Sequence, residues 1–186
     1  GVVLLAIVVV GAILRSRLLL VGLRPEDTWL GQPLLTSADG YYFAAGVGNV
    51  VSDEWGLAKG VARADVHALV AIGAMLVEVF GLAREAVFTW MPVVVGPLVA
   101  LPLAFIGRAY GRSLLGLVAA LVVVVSPSYL ARTSVAYFDT DMFAVTMPLV
   151  AALFLVRLLR SEPDIPPDQA RATARKDGLL AALTLS

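Results

Sequence analysis

The alternation of long uncharged runs with short charged connectors sets the architecture of this chain. Ala86 to Gly107, Ser113 to Ala131 and Met142 to Val156 contain no Asp, Glu, Lys or Arg. A helix crosses the hydrocarbon core of a bilayer in about 20 residues, rising roughly 1.5 Å per residue. The first two runs reach that length, and the third does so once Arg157 and Arg160 extend their charges to the interface. Gly1 to Leu14, continued past Arg15 and Arg17 by Leu18 to Leu23, reads as a further span whose beginning is missing, and Gly178 to Ser186 reads as the start of another. The expected spans are therefore about 1–23, 86–107, 113–131 and 142–160, with one more beginning at 178. Both ends of the sequence look cut. No basic stretch and small-residue cleavage site flank the first run, as they would in a signal peptide.

The segments between the runs differ in kind. About 24–85 is too long for a plain connector, because loops beyond about 12–15 residues carry structure or function. Within it, Asp65 to Gly81 has the pattern of an apolar helix. Asp65, His67 and Glu78 and its limited length make it a poor span, so it is placed on the outer surface. Pro92, Pro97 and Pro102 each delete a helical hydrogen bond inside the second span and predict a kink. Ser161-Glu-Pro-Asp-Ile-Pro-Pro-Asp168 opens a linker over about 161–177 that cannot be helical throughout, since each proline disfavours helix in the residue before it.

Composition agrees with a lipid environment: 60% of the 186 residues are hydrophobic, against about 45–50% in soluble domains. The fold class is all-α, a polytopic membrane protein. A formal net charge of zero, with 14 basic and 14 acidic residues, gives no support to nucleic-acid binding, which needs a basic stripe. Cysteine is absent, which excludes a disulfide framework and thiolate metal sites. Lys and Arg concentrate in cytoplasmic loops. Arg108 and Arg112, and then Arg157, Arg160, Arg171, Arg175 and Lys176, put those two connectors inside. The 24–85 segment and the loop from Arg132 to Asp141 then lie outside, and that side is acidic. Arg15 and Arg17 fit this rule poorly; burial against a partner and outward snorkelling both remain open.

Two acidic places emerge on the outer side: Asp39 in Ser37-Ala-Asp-Gly-Tyr-Tyr-Phe43, and Asp139 and Asp141 in Arg132-Thr-Ser-Val-Ala-Tyr-Phe-Asp-Thr-Asp-Met142. Carboxylates one residue apart can converge on a hard divalent cation such as Mg²⁺ or Mn²⁺, and Asp39 would help to complete such a site. The plainer reading is that Asp139, Thr140 and Asp141 cap the helix of the fourth span, that Asp39-Gly40 is a turn dipeptide, and that Arg132 is an interfacial snorkelling residue. Taken by spacing alone, the plainer reading leads. The functional role open to Arg132 is to neutralise clustered carboxylates or meet a phosphate. Tyr41, Tyr42, Tyr129, Tyr137, Trp29 and Trp55 are the aromatic residues that gather at membrane interfaces and are assigned no chemistry. His67, without a nearby histidine or cysteine, is structural.

Two motifs make the chain resemble the catalytic subunits of oligosaccharyltransferase, including the bacterial single-subunit enzymes. Ser37-Ala-Asp39-Gly-Tyr-Tyr-Phe-Ala44 is similar to that family's first outer-loop motif. Ser128-Tyr-Leu-Ala-Arg132-Thr133, running on to Tyr137-Phe-Asp139-Thr-Asp141-Met142, is similar to its second and is far more restrictive than a bare Asp-x-Asp. The resemblance implies the N-terminal part of a C-type glycosyltransferase transmembrane domain. It also implies protein N-glycosylation, the transfer of an oligosaccharide from a polyprenyl-pyrophosphate carrier to Asn in Asn-x-Ser/Thr sequons. By carry-over, Asp39 and Asp139 would ligate Mn²⁺ or Mg²⁺, Asp39 would also bind the acceptor amide, and Asp141 and Arg132 would support the carboxylate geometry. The implied partners are a lipid-linked oligosaccharide donor, an acceptor polypeptide and the lipid bilayer, with the active site on the extracytoplasmic or lumenal face. A further acidic ligand and the Trp-Trp-Asp-Tyr-Gly motif of the family fall in regions this sequence lacks, so the fragment alone is expected to be inactive. The competing readings are another polyprenyl-dependent glycosyltransferase of the same architecture and, more distantly, a transporter or channel subunit, which would need polar residues deep in its spans.

Overall fold

A computed structural model describes residues 1–17, 25–29, 32–51, 67–160 and 176. The expected continuation of the first span over 18–23, the linker over 161–177 apart from Lys176, and the apolar start at 178 lie outside the described residues, as do Asp53, Glu54, Trp55, Lys59, Arg63 and Asp65.

Among the described residues the fold is all-α apart from one antiparallel ladder of two-residue strands, β1 (Thr28–Trp29) and β2 (Gln32–Pro33). Helix α1 (Val2–Arg15) buries Ile7, Gly11 and Arg15, three positions four apart that form one stripe. The remaining face, including Val2, Leu5, Val9 and Ile13, is exposed. Helices α2 (Ala38–Val51) and α3 (Ala68–Glu78) pack on each other through Val47 and Gly73, where an added Cβ would stand 2.8 Å from the valine. The expected surface helix thus exists over 68–78, and one of its faces lies against other helices of this chain rather than being free. His67 packs edge-on against Phe43 at 5.3 Å between ring centroids, in keeping with a structural role.

Helix α4 (Arg84–Val95), a 3₁₀ turn (Gly96–Val99) and α5 (Ala100–Ala109) follow without interruption. Of the three prolines expected to kink this run, Pro97 lies in the 3₁₀ turn, whereas Pro92 and Pro102 sit inside α4 and α5. The Ala100 N–H turns to the Pro97 and Leu98 carbonyls and leaves the Gly96 carbonyl to accept the Tyr129 hydroxyl at 3.0 Å. A tight connection with Gly111 in the left-handed region (φ +68°) leads into α6 (Ser113–Val125). An L side chain would be strained at that φ, so glycine suits the reversal. Helix α6 does not run on to Ala131 as expected. It stops before Pro127, with Ser126 extended at ψ 125°, and the chain resumes as α7 (Pro127–Ala131), because a proline pushes the preceding residue out of the helical region. After the 132–140 loop come α8 (Asp141–Ala144) and α9 (Thr146–Leu159).

Two apolar cores result. One joins α2, α3, α4 and α8 through Phe43, Val47, Leu69, Val70, Phe88, Met91, Phe138 and Met142. The other joins α1, α5, α6 and α7 through Ile7, Val99, Ala100, Ala120, Val124 and Tyr129. Among the described residues two helical stretches, Arg84–Ala109 and Asp141–Leu159, are long and apolar enough to cross a membrane, and α1, α3 and α6 are shorter apolar helices. Exposed Leu114, Leu115, Val118, Leu121 and Val122 on α6 and Leu155 and Leu159 on α9 are surfaces that lipid or protein must cover.

Close approach of small residues holds α5 to α6. A Cβ built on Gly107 would collide with the backbone of Gly116, and one on Gly116 would stand 2.9 Å from Gly107 Cα and from the Leu103 carbonyl. Backbone-to-backbone packing of this kind is how helices associate where apolar burial gives no advantage. Gly107→Val in the full-length protein is expected to destabilise by about 1–3 kcal/mol through overpacking. Thermal unfolding in detergent checks this, and an unchanged melting temperature would contradict the seam.

Candidate acidic site

The site is built by two arms held together through backbone. The first arm ends in α2, where the Ser37 hydroxyl accepts the Gly40 N–H at 2.9 Å, satisfying one of the free donors of a helix start. Asp39 stands exposed in that first turn. Gly40 is therefore a buried helical residue rather than the turn glycine its dipeptide suggests. An added Cβ would lie 3.1 Å from the Phe138 carbonyl oxygen, so the arms touch at a position where a side chain would have to displace backbone.

The second arm is the loop between α7 and α8. Val135 N–H donates to the Arg15 carbonyl at 3.0 Å, Ala136 N–H donates to the Thr89 carbonyl at 3.0 Å, and the Ala136 carbonyl accepts the Thr36 N–H at 3.1 Å. Ala136 is fully buried and holds φ at +63°, a conformation that costs of order 1–3 kcal/mol in a non-glycine residue and persists where the surroundings dictate it. Both its backbone groups are used, one toward α4 and one toward the Asp39 arm. Beyond it Tyr137 turns partly outward, while Phe138 is fully buried and meets Phe88 at 4.9 Å between ring centroids. Phe138 anchors the segment, and Asp139 follows directly at the edge of the core, 7% exposed.

Asp139 does not cap a helix in the expected manner. Its Oδ1 accepts the N–H of the next residue, Thr140, at 2.6 Å and the Thr140 hydroxyl at 3.2 Å. Thr140 itself occupies the N-cap position of α8, without a side-chain cap. Asp141, in the first turn, faces Arg132 across 3.3 Å. With the arginine 66% exposed, that pair is a rim contact of modest energy. Arg132 is thus engaged with Asp141.

Burial holds the Asp139 carboxyl above its ordinary value of 3.8, and the neighbouring charges of Asp141 and Asp39 push the same way, against the Thr140 hydrogen bonds. All three predicted carboxylates are therefore close enough for two of them to be felt at the third. Burial, followed by the charges of Asp141 and Asp139, likewise raises the Tyr137 phenol. Tyr137 is a site neighbour to which the sequence assigned no chemistry; its place directly before Phe138 in the loop is the signal. Carboxylate oxygens suit a hard divalent cation, which would relieve the repulsion that Asp141 and Asp39 exert on Asp139. The set is partial: among the described residues no group of three or more His, Cys, Asp or Glu is arranged to hold a metal.

The basic residues gather elsewhere. Arg160 lies over the Tyr110 ring at 4.7 Å, and a cavity of about 450 Å³ between α5 and α9 is lined by Phe105, Arg108, Ala109, Leu153 and Arg157. That end is separated from the carboxylates by the length of the 84–109 helix.

Residues 66–175 match the family described as oligosaccharyl transferase STT3, N-terminal. The chain belongs to that family. The matched stretch contains the whole Arg132–Met142 loop, whereas the Asp39 arm lies before it. The chain is also 29% identical, over 138 residues, to undecaprenyl-diphosphooligosaccharide–protein glycotransferases from Campylobacter jejuni serotype O:2 and from C. jejuni strain RM1221. The aligned stretch covers 69% of this chain and 18% of each relative. Family members are embedded in membranes, which accounts for the exposed apolar faces of α1, α6 and α9. It also accounts for the close backbone packing of α5 on α6.

A buried carboxyl with a raised pKa binds its proton more firmly in the folded than in the unfolded state. Its ionised form therefore costs stability above the folded pKa, and that cost disappears as pH falls to the ordinary carboxylate range. In the full-length protein with chelator present, Asp139→Asn is expected to melt above the wild type near pH 7, with the gap closing toward pH 4. Melting curves across that range provide the check. A variant less stable than wild type at pH 7 would show that the carboxylate is compensated.

Proposed function

We propose that the full-length protein catalyses protein N-glycosylation, transferring an oligosaccharide from a polyprenyl-pyrophosphate carrier to the side-chain amide of Asn in Asn-x-Ser/Thr sequons. The observation that carries this reading is the docking of the Asp39 arm on the Asp139 loop through Thr36–Ala136 and Gly40–Phe138. It brings acids from two distant segments together within a chain of this family. The undecaprenyl-diphosphooligosaccharide donor and protein acceptor named for the C. jejuni relatives are the kinds of substrate such a site would take.

In the reaction, a bond forms between the amide nitrogen and the anomeric carbon of the sugar. The carbon–oxygen bond to the pyrophosphate breaks, and the nitrogen loses one proton to a carboxylate that accepts its N–H. An amide nitrogen is a poor nucleophile because its lone pair is delocalised into the carbonyl. Asp39, with a further carboxylate, would accept hydrogen bonds from its two N–H groups and hold it where that conjugation is weakened. Arg132 would keep Asp141 turned toward its neighbours, and Phe138, locked in the core, would keep Asp139 from swinging away. Asp39 and Asp139 would also hold a divalent cation, Mn²⁺ or Mg²⁺, whose contribution is to stabilise negative charge on the departing pyrophosphate. Further ligands would come from parts of the protein beyond this chain. The acidic end lies on the extracytoplasmic or lumenal side in this reading, and the Arg108, Arg112 and Arg157 end is cytoplasmic. The chain would then cross the bilayer several times, at about 1–23, 86–107, 113–131 and 142–160.

In-vitro transfer of a lipid-linked glycan to a fluorescent Asn-x-Thr peptide by the full-length protein tests the proposal. Transfer is expected to require Mn²⁺ or Mg²⁺ and to fall at least about a hundredfold in Asp39→Ala and in Asp139→Ala. Undiminished transfer by folded mutants would eliminate these two residues from the chemistry.

A further inference from the structure

Arg15 is the most deeply buried charged side chain among the described residues, 1% exposed, and has no carboxylate on it. Its Nε donates to the Thr133 hydroxyl at 2.8 Å, and one terminal nitrogen donates to the Gly11 carbonyl at 3.0 Å and the Val124 carbonyl at 3.2 Å. Its carbon centre lies 5.1 Å from the Tyr129 ring centroid, and the other terminal nitrogen has no partner. Space for it exists because two neighbours are glycines. A Cβ on Gly96 would stand 2.6 Å from Arg15 Nε, and one on Gly11 would stand 3.3 Å from Nη1, the terminal nitrogen that holds the two carbonyls. A cation buried in a bilayer-embedded bundle costs several kcal/mol. A stretch of apolar side chain would close the same helix interface without that cost.

The contacts of Arg15 on the loop indicate what the charge is for. Arg15 holds the 132–140 loop twice: its guanidinium grips the Thr133 side chain, and its carbonyl accepts the Val135 N–H. The Thr133 hydroxyl passes the contact on by donating to the Tyr129 carbonyl at 2.5 Å. Tyr129 in turn donates to the Gly96 carbonyl, with the Met142 carbonyl at 3.4 Å. These bonds fix both ends of the loop that carries Asp139 to the break between α4 and α5. We propose that Arg15 is a positioning residue for the acidic site. Through Thr133 it sets the register of the loop, so that Asp139 meets Asp39 in the arrangement that binds a divalent cation. The inference rests on the reading of Asp39 and Asp139 as metal ligands. Only the side-chain half of the grip is open to mutation, because the carbonyl half survives any substitution at 15.

The test uses the full-length protein in detergent, with Arg15→Met, Arg15→Lys, Thr133→Val, Thr133→Ser and Asp139→Asn. Mn²⁺ binding is followed by the electron paramagnetic resonance signal of the free ion, beside thermal unfolding. Thr133→Val and Arg15→Met are expected to weaken Mn²⁺ binding by about tenfold or more, the usual effect of losing a group that orients a ligand. Thr133→Ser, which keeps the hydroxyl, should stay within about twofold of wild type. Arg15→Lys should resemble Arg15→Met, because a single ammonium cannot reach Thr133 and the two carbonyls as a fork does. In peptide transfer, Thr133→Val should need more Mn²⁺ for half-maximal rate and recover when Mn²⁺ is saturating. Arg15→Met is the variant at risk of misfolding, and the near-isosteric Thr133→Val keeps the proposal exposed in that event. Wild-type Mn²⁺ binding by folded Thr133→Val, with Asp139→Asn impaired, would overturn the positioning role and leave the metal site standing. Unchanged binding by Asp139→Asn would overturn the metal site, and the positioning role with it.

Discussion

The constraint on which the rest of this structure depends is the satisfaction of one buried guanidinium. Arg15 sits in the last turn of α1 and borrows the Val124 carbonyl from the last turn of α6. Carbonyls at helix C-termini have no partner of their own and carry the negative end of the helix dipole. The cation therefore joins α1 to the C-terminal end of α6, whose Val124 carbonyl lacks an intrahelical partner. Meeting its planar geometry fixes α1 against α6 and places Gly11 against Val124. It also requires Gly96 at the break in the 84–109 helix, where any larger residue would strike the guanidinium.

The loop that carries Asp139 and Asp141 inherits its position from that arrangement. Its backbone is held from three directions, by α1 through Val135, by α4 through Ala136 N–H and by the Asp39 arm through the Ala136 carbonyl. The left-handed Ala136 is the consequence of making all three connections within two residues. Electrostatics opposes the outcome, since Asp139 is buried beside two like charges. Packing of Phe138 between Phe88 and the α2–α3 core, together with main-chain hydrogen bonds, overrides that repulsion. The repulsion is tolerated because apolar and main-chain interactions supply the energy elsewhere.

The expectations differ in how far local pattern could carry them. The uncharged run 86–107 became a helix because sustained apolar composition leaves the backbone no better partner than itself. The Arg132–Asp141 contact lies within reach of local pattern, because ion pairing across nine residues at a helix entry is a local event. The break at Ser126 follows from Pro127, whose local effect overrides the apolar length of the run. Gly40 was read as a turn residue, although its neighbour across the site lies nearly a hundred residues away.

What the sequence by itself determined is the set of apolar helices, the kink at Pro97, the separation of an acidic end from a basic one, and the motif that places the chain in its family. Each of these follows from the solvation of consecutive residues or from spacing along one element. Only the tertiary structure decided that Arg15 is buried rather than snorkelling. It alone decided that Gly40 and Gly96 are points of close approach and that Asp39 reaches the neighbourhood of Asp139. Those outcomes depend on partners 40 to 120 positions distant, and a cation in an apolar run carries no local sign of whether carbonyls will be waiting for it.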